Sequence, residues 1–138
     1  MIVGSALVLI SHLIITFAPQ GEPVYAYIAI ALLGTGYSLV PSAMWPSVPK
    51  IIPEKNLGTA YSLIYWVQNL GMWAVPIYVG RIFKNTITVA GNATQEISAA
   101  IRAEYVFIFL GIIAIATALM LYFSSKRHPE LHLDKAAK

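Results

Sequence analysis

The chain has 138 residues, of which 58% are hydrophobic and 11% charged, with a formal net charge of +3 and no cysteine. Soluble domains carry about 25% charged residues and need polar side chains to cover their surface, so with a mean hydropathy of +0.70 this chain reads as a membrane protein. The missing cysteines exclude disulfides, thiolate metal sites and cysteine nucleophiles, and the small positive charge speaks for membrane topology rather than nucleic-acid binding.

The first apolar segment covers residues 2–18 and contains no Lys, Arg, Asp or Glu. It begins at the first methionine without the basic preamble and small-residue cleavage site of a signal peptide. We therefore expect the chain to start at or inside a transmembrane helix, as a piece of a larger protein. The segment is aliphatic, which suits a lipid-facing position. His12 is the only ionisable side chain near the middle of any apolar segment, and such residues suggest function by default. On so aliphatic a helix, a neutral histidine bonded to a neighbouring helix is favoured over a proton relay.

The second segment, residues 24–48, is also uncharged but rich in Gly, Pro, Ser and Tyr. Pro41, Pro46, Pro49 and Pro53 follow one another closely, at a cost of about 3 kcal/mol for each one placed inside an ordinary helix. That cost is tolerable where a helix borders other helices or water. We expect Gly34 and Gly36 to permit close packing and Pro41 to kink the helix. Pro46, Pro49 and Pro53 are expected to end it and shape a tight loop, residues 49–56. At about 100° per residue, Tyr27, Thr35, Ser38, Ser42 and Trp45 fall within one arc of about 80°. Ser38 and Ser42 also form a small-xxx-small pair, for which helix packing outweighs solute contact.

The third segment, residues 57–80, has Arg81 at its edge. Tyr61, Ser62, Tyr65, Gln68 and Asn69 share an arc of about 120°. Gln68 and Asn69 are the costliest of these to bury unpaired, whereas the aromatic residues serve packing as readily as binding. Two such polar-aromatic stripes facing a common space would line a hydrated path.

Residues 81–104 read as a long polar connection with an N-glycosylation sequon at Asn92–Thr94. The fourth segment, residues 105–123, is aliphatic, with Glu104 at its boundary. Residues 124–138 form a short charged tail. Each segment matches the roughly 17 to 25 residues of a membrane-crossing helix, and long apolar runs without alternation exclude barrel strands. The expected fold is all-α: a polytopic membrane protein with one four-helix domain, residues 1–123. With four spans, Lys50, Lys55, Lys126, Arg127, Lys135 and Lys138 fall on one side, against Arg81, Lys84 and Arg102 on the other. The basic-residue rule puts the first side, with both termini, in the cytoplasm. No carboxylate lies in the first three segments, and no phosphate loop, metal cluster or nucleophile–His–acid set is visible. We expect no enzyme, no metal and no cofactor.

Residues 31–83 carry a resemblance. Gly34, Gly36, Pro41, Pro46 and Pro49 form a Gly-rich helix ending in prolines. Gly58, Ala60 and Ser62 then open a helix that continues to Asn69, Leu70 and Gly71. This resembles the tenth and eleventh helices of a major facilitator superfamily transporter, and the wording "NLGTAYSL…QNLG" is similar to the branch that includes lysosomal dipeptide transporters. By helix order, residues 2–18 and 105–123 would be the ninth and twelfth helices. The resemblance implies a C-terminal fragment of a secondary-active or facilitative transporter of small solutes, working by alternating access between two halves. Its implied partners are the lipid bilayer, the remaining helices of a full-length transporter and a small-molecule substrate, small peptides or other small organic solutes. Gln68, Asn69, Tyr65, Tyr61, Ser38 and Trp45 are the candidates for the substrate path. A bacterial inner membrane and a eukaryotic lysosomal or plasma membrane fit equally. The alternative is a self-contained four-helix membrane protein, either a dimeric exporter or a non-transporting subunit. An exporter of that kind usually needs an embedded carboxylate.

Overall fold

A computed structural model describes residues 1–19 and 21–127, and among these no strand occurs. Helix α1 spans Ile2–Phe17 and α2 spans Pro23–Met44. A 3-10 turn, Trp45–Ser47, joins α2 to the four-residue α3, Val48–Ile51. A second 3-10 turn, Glu54–Asn56, leads into α4, Leu57–Thr86, and α5 covers Ala93–Arg127. Gln20 and the part of the charged tail at 128–138 lie outside the described residues. The tail's first residues, Ser124–Arg127 in sequence, continue α5.

The proline run does not end its helix at the second segment's limit. Pro46 and Pro49 each stand in the first positions of a new short helical turn, where a missing N–H has no intrahelical partner to lose. The coil tightens and continues to Ile51. It ends at Ile52, which is extended at φ −106° and ψ 129°, the conformation that the following Pro53 imposes on its predecessor. Residues 49–56 are therefore mostly helical turns rather than an open loop.

Residues 81–104 are not a long connection either. Helix α4 runs on to Thr86 and α5 starts at Ala93, so only residues 87–92 turn the chain. Local chemistry fixes this turn. The Asn92 side-chain oxygen accepts the Gln95 backbone N–H at 3.1 Å, as a helix cap does. Gln95 Oε1 in turn accepts the backbone N–H groups of Thr88, at 2.9 Å, and Val89, at 3.1 Å. Gly91 takes φ +77°, which glycine adopts at least cost. Glu96 in the first turn of α5 complements the helix dipole.

The packing refines a placement. The aliphatic α1 also has a protein-facing side: it lies between α2 and α5, while α4 leans on α5. Small residues make this possible. Gly4, Ser5, Ser11 and Thr16 of α1 are buried, as are Ala29 and Gly36 of α2 and Ala99, Ala103, Gly111 and Ala118 of α5. Lipid is as apolar as leucine, so helices in it associate through close backbone approach and interhelical hydrogen bonds. Both are present. A Cβ on Gly36 would stand 2.8 Å from the Gly4 carbonyl oxygen, and buried Ser11 donates across the interface to the Ala29 carbonyl at 2.8 Å. What α1 leaves exposed is an apolar face at Val3, Ile10, Ile15 and Phe17.

Four membrane-crossing helices are expected from the sequence. Among the described residues two are long and apolar enough by themselves: Pro23–Ile51, counting α2 with its proline-rich continuation, and Ala93–Arg127. The other two fall short for different reasons. Helix α1 is apolar but has 16 residues. Helix α4 has 30 residues but carries Gln68, Asn69, Arg81 and Lys84 among its aromatic side chains.

Candidate functional site

The two polar-aromatic stripes meet at one place. Trp45, at the turn that ends α2, lies against Tyr61 and Tyr65 of α4, with ring centroids 5.6 Å and 5.0 Å apart and the planes tilted by 40° and 33°. Pairs of this kind contribute about 0.5–1.5 kcal/mol each beyond buried area. Residues 61 and 65 are one turn apart on α4, so both rings reach the same indole.

The remaining stripe residues are not gathered into that cluster. Ser38 stands seven residues before Trp45, about 10 Å away along the helix. It is exposed, and its hydroxyl donates to the Gly34 carbonyl at 2.9 Å. Thr35 and Ser42 bond back one turn in the same way, to Ala31 at 2.8 Å and to Ser38 at 2.7 Å. Such back-bonding satisfies the hydroxyl hydrogens and leaves acceptor lone pairs directed outward. On α4, Gln68 and Asn69 are both exposed. The Asn69 amide donates to the Tyr65 carbonyl at 2.8 Å, which leaves its side-chain oxygen available. Each stripe is thus an open face whose Ser and Thr hydroxyl hydrogens are bonded back along the helix.

The kink and packing candidates divide. Gly36 is a true close-contact position, whereas a Cβ on Gly34 would meet nothing within 4 Å. Pro41 sits inside continuous α2, where its own carbonyl still accepts the Trp45 N–H. Pro46 opens the 3-10 turn that carries Trp45, so it helps set the direction from which the indole reaches α4.

A second constellation gives His12 the neighbouring-helix bond favoured from the sequence, with a partner that the sequence alone did not name. His12 Nδ1 and Glu104 Oε2 are 2.7 Å apart, with side-chain exposures of 12% and 18%. The imidazole also stacks on Phe107, at 5.1 Å between centroids and 9° between planes. A contact this short requires a proton between nitrogen and oxygen, whichever group formally holds it. Glu104 is not at the boundary of its helix, because α5 begins at Ala93 and carries it well inside. The pair joins α1 to α5, so His12 is indeed bonded to a neighbouring helix, and the partner is a carboxylate. Beside it a cleft of about 290 Å³, lined by Thr16, Glu22, Tyr25 and Glu104 among others, separates the end of α1, the start of α2 and α5. A sequence signal existed: a lone histidine in an apolar helix demands a polar partner.

Comparison with known proteins shows what the chain is similar to. The human protein "Lysosomal dipeptide transporter MFSD1" is 40% identical over 77 residues, which are 56% of this chain and 16% of that protein. The protein of the same description from Mus musculus is 42% identical over 77 residues. The one from Danio rerio is 30% identical over 131 residues, 94% of this chain and 25% of that protein. The chain spans between about a sixth and a quarter of the length of the curated relatives it matches. No protein-family model matches it, and no solved structure matches it. By sequence, then, this chain resembles the lysosomal dipeptide transporters of the major facilitator superfamily, as its glycine, proline and "QNLG" pattern indicated, and with them it is an all-α integral membrane protein.

Proposed function

We propose that this chain is the C-terminal portion of an alternating-access transporter of small solutes, with short peptides as the substrate class. One observation carries the reading: a single alignment takes up 94% of this chain but only 25% of the Danio rerio transporter. The geometry supports it. Helices α2 and α4 expose their polar-aromatic faces along most of their length, as helices do when the groups meant to face them belong to another part of the protein. In this reading α1, α2, α4 and α5 all cross the membrane. Both termini are cytoplasmic, following the basic residues Lys50, Lys55, Lys126 and Arg127 against Arg81, Lys84 and Arg102. Trp45, Tyr61 and Tyr65 narrow the cytoplasmic end of the path. Ser38, Gln68 and Asn69 face the solute farther along it.

The test is uptake of a labelled dipeptide into proteoliposomes. The 138-residue chain alone is expected to be inactive, and the full-length transporter that contains it active. Gln68→Ala and Asn69→Ala in that full-length protein are each expected to lower uptake about tenfold, as loss of a hydrogen bond worth about 1.4 kcal/mol does. Specific uptake by the isolated chain would instead establish a self-contained four-helix transporter.

A further inference from the structure

A groove of about 880 Å³ runs between α4 and α5. Its walls differ along its length. Trp73 and Ile77 of α4 and Val106, Phe109 and Leu110 of α5 line one part, and Arg81 and Arg102 line the other. The two helices run antiparallel through the turn at 87–92, which fixes the order. Arg81 is close to the end of α4 and Arg102 is in the first third of α5, so both guanidinium groups stand toward the turn. Trp73 and Leu110 mark the far end. Each is eight residues from the arginine on its own helix, or about 12 Å.

A groove with two cations at one end and about 12 Å of apolar and aromatic wall below them has the profile of one leaflet. The hydrocarbon half-thickness of a bilayer is about 15 Å. Arg81 and Arg102 are exposed, and neither has an ion-pair partner among the described residues. Two like charges converging on one groove repel unless an anion lies between them. Guanidinium groups suit phosphate because their planar forks can donate two parallel hydrogen bonds. Tyr78 and Tyr105 line the groove as well, with the apolar ring and polar tip that favour the membrane interface. Another protein helix laid here would have to bring a carboxylate to the same depth, whereas an anionic lipid supplies its phosphate there already.

We propose that the α4–α5 groove binds an anionic phospholipid, with its phosphate between Arg81 and Arg102 and one acyl chain along Trp73, Ile77 and Phe109. The site is distinct from the stripes assigned to the solute path. It holds the two helices together at the end where only residues 87–92 connect them.

Native mass spectrometry of the 138-residue chain, released from bilayers of mixed phosphatidylglycerol and phosphatidylcholine with matched acyl chains, tests this. Retained lipid is expected to favour phosphatidylglycerol about twenty-fivefold, since each of the two basic residues near the surface attracts anionic lipid by about a factor of five. R81Q/R102Q is expected to abolish the preference, and R81K/R102K to keep part of it. Soluble inorganic phosphate is expected not to displace the lipid, because it lacks the chain. Fluorescence provides a control that does not depend on charge variants: phosphatidylglycerol brominated on its acyl chains is expected to quench Trp73 in a chain carrying W45F and W66F. Equal retention of the two lipids would overturn the proposal. So would a preference unchanged in R81Q/R102Q, displacement by inorganic phosphate, or loss of the bound lipid when the chain sits within its full-length transporter.

Discussion

Gly34 and Gly36 lie two residues apart on one helix, and the structure predicts opposite outcomes for the same substitution. In Gly36→Ala the new methyl carbon stands 2.8 Å from the Gly4 carbonyl oxygen, 2.9 Å from Val8 Cγ2 and 3.0 Å from the Val8 nitrogen. Two of these are backbone atoms and cannot rotate away, so α1 and α2 must separate. Separation strains the Ser11–Ala29 hydrogen bond of 2.8 Å in the same interface. Overpacking of this kind costs about 1–3 kcal/mol, against a gain of about 0.5–1 kcal/mol for replacing glycine by alanine in a helix. A net loss of about 0–2.5 kcal/mol, centred near 1 kcal/mol, follows from these two ranges. In Gly34→Ala the methyl meets nothing within 4 Å, so only the gain remains. Thermal-shift measurement of the two variants in one detergent should place Gly36→Ala below the parent chain and Gly34→Ala at or above it. Equal melting temperatures for the two alanines would refute the close α1–α2 crossing. A full-length transporter in which Gly34→Ala is also destabilising would show that another helix covers Gly34.

Removing one member of the His12–Glu104 pair by Glu104→Ala should cost about 2–3 kcal/mol. That is below the roughly 3–5 kcal/mol of a fully buried broken pair because both side chains keep some exposure. Glu104→Gln retains an acceptor and should cost about 1 kcal/mol, so equal melting shifts for the two would argue against a specific bond to His12. Ser11→Ala leaves the Ala29 carbonyl without its side-chain donor and is expected to lower stability by roughly 0.6–1.7 kcal/mol, the range for interhelical hydrogen bonds in membranes; no change in melting would remove it from the interface. Asn92→Ala uncaps α5 and should cost about 1 kcal/mol. Its effect should appear as faster amide exchange confined to the first turn after Ala93, and slow exchange there would count against the cap.

The meeting of Trp45 with Tyr61 and Tyr65 was legible because periodicity is local. Trp45, Tyr61 and Tyr65 fall on the arcs computed from 100° per residue, and the structure brings those three rings into contact. The lower parts of the same stripes diverge, and nothing in a helical wheel states the angle between two helices. Residues 93–104 read as part of a polar connection because hydropathy reports membrane burial, whereas their helix is set by a cap and a side-chain clasp from Asn92 and Gln95. Hydropathy likewise does not separate an apolar helix facing lipid from one packed through small residues, since both environments are equally apolar.

That ambiguity is where His12 carries more information than the aliphatic residues around it. Val3, Ile10 and Phe17 are indifferent to whether they meet lipid or protein, but an imidazole is not. Placed mid-helix, it needs a donor or acceptor at bonding distance, and lipid chains have none. A helix bearing such a residue must turn at least one face to another helix. The buried Gly4, Ser5, Ser11 and Thr16 of α1 show how broad that protein-facing side is. The partner also had to be polar and close to a membrane segment, and Glu104 is the only carboxylate beside the fourth apolar run. His12 and Glu104 are 92 residues apart in sequence. The constraint that joins them is not periodicity but the cost of leaving either one alone in an apolar interior, and the same constraint holds one side of α1 against α5.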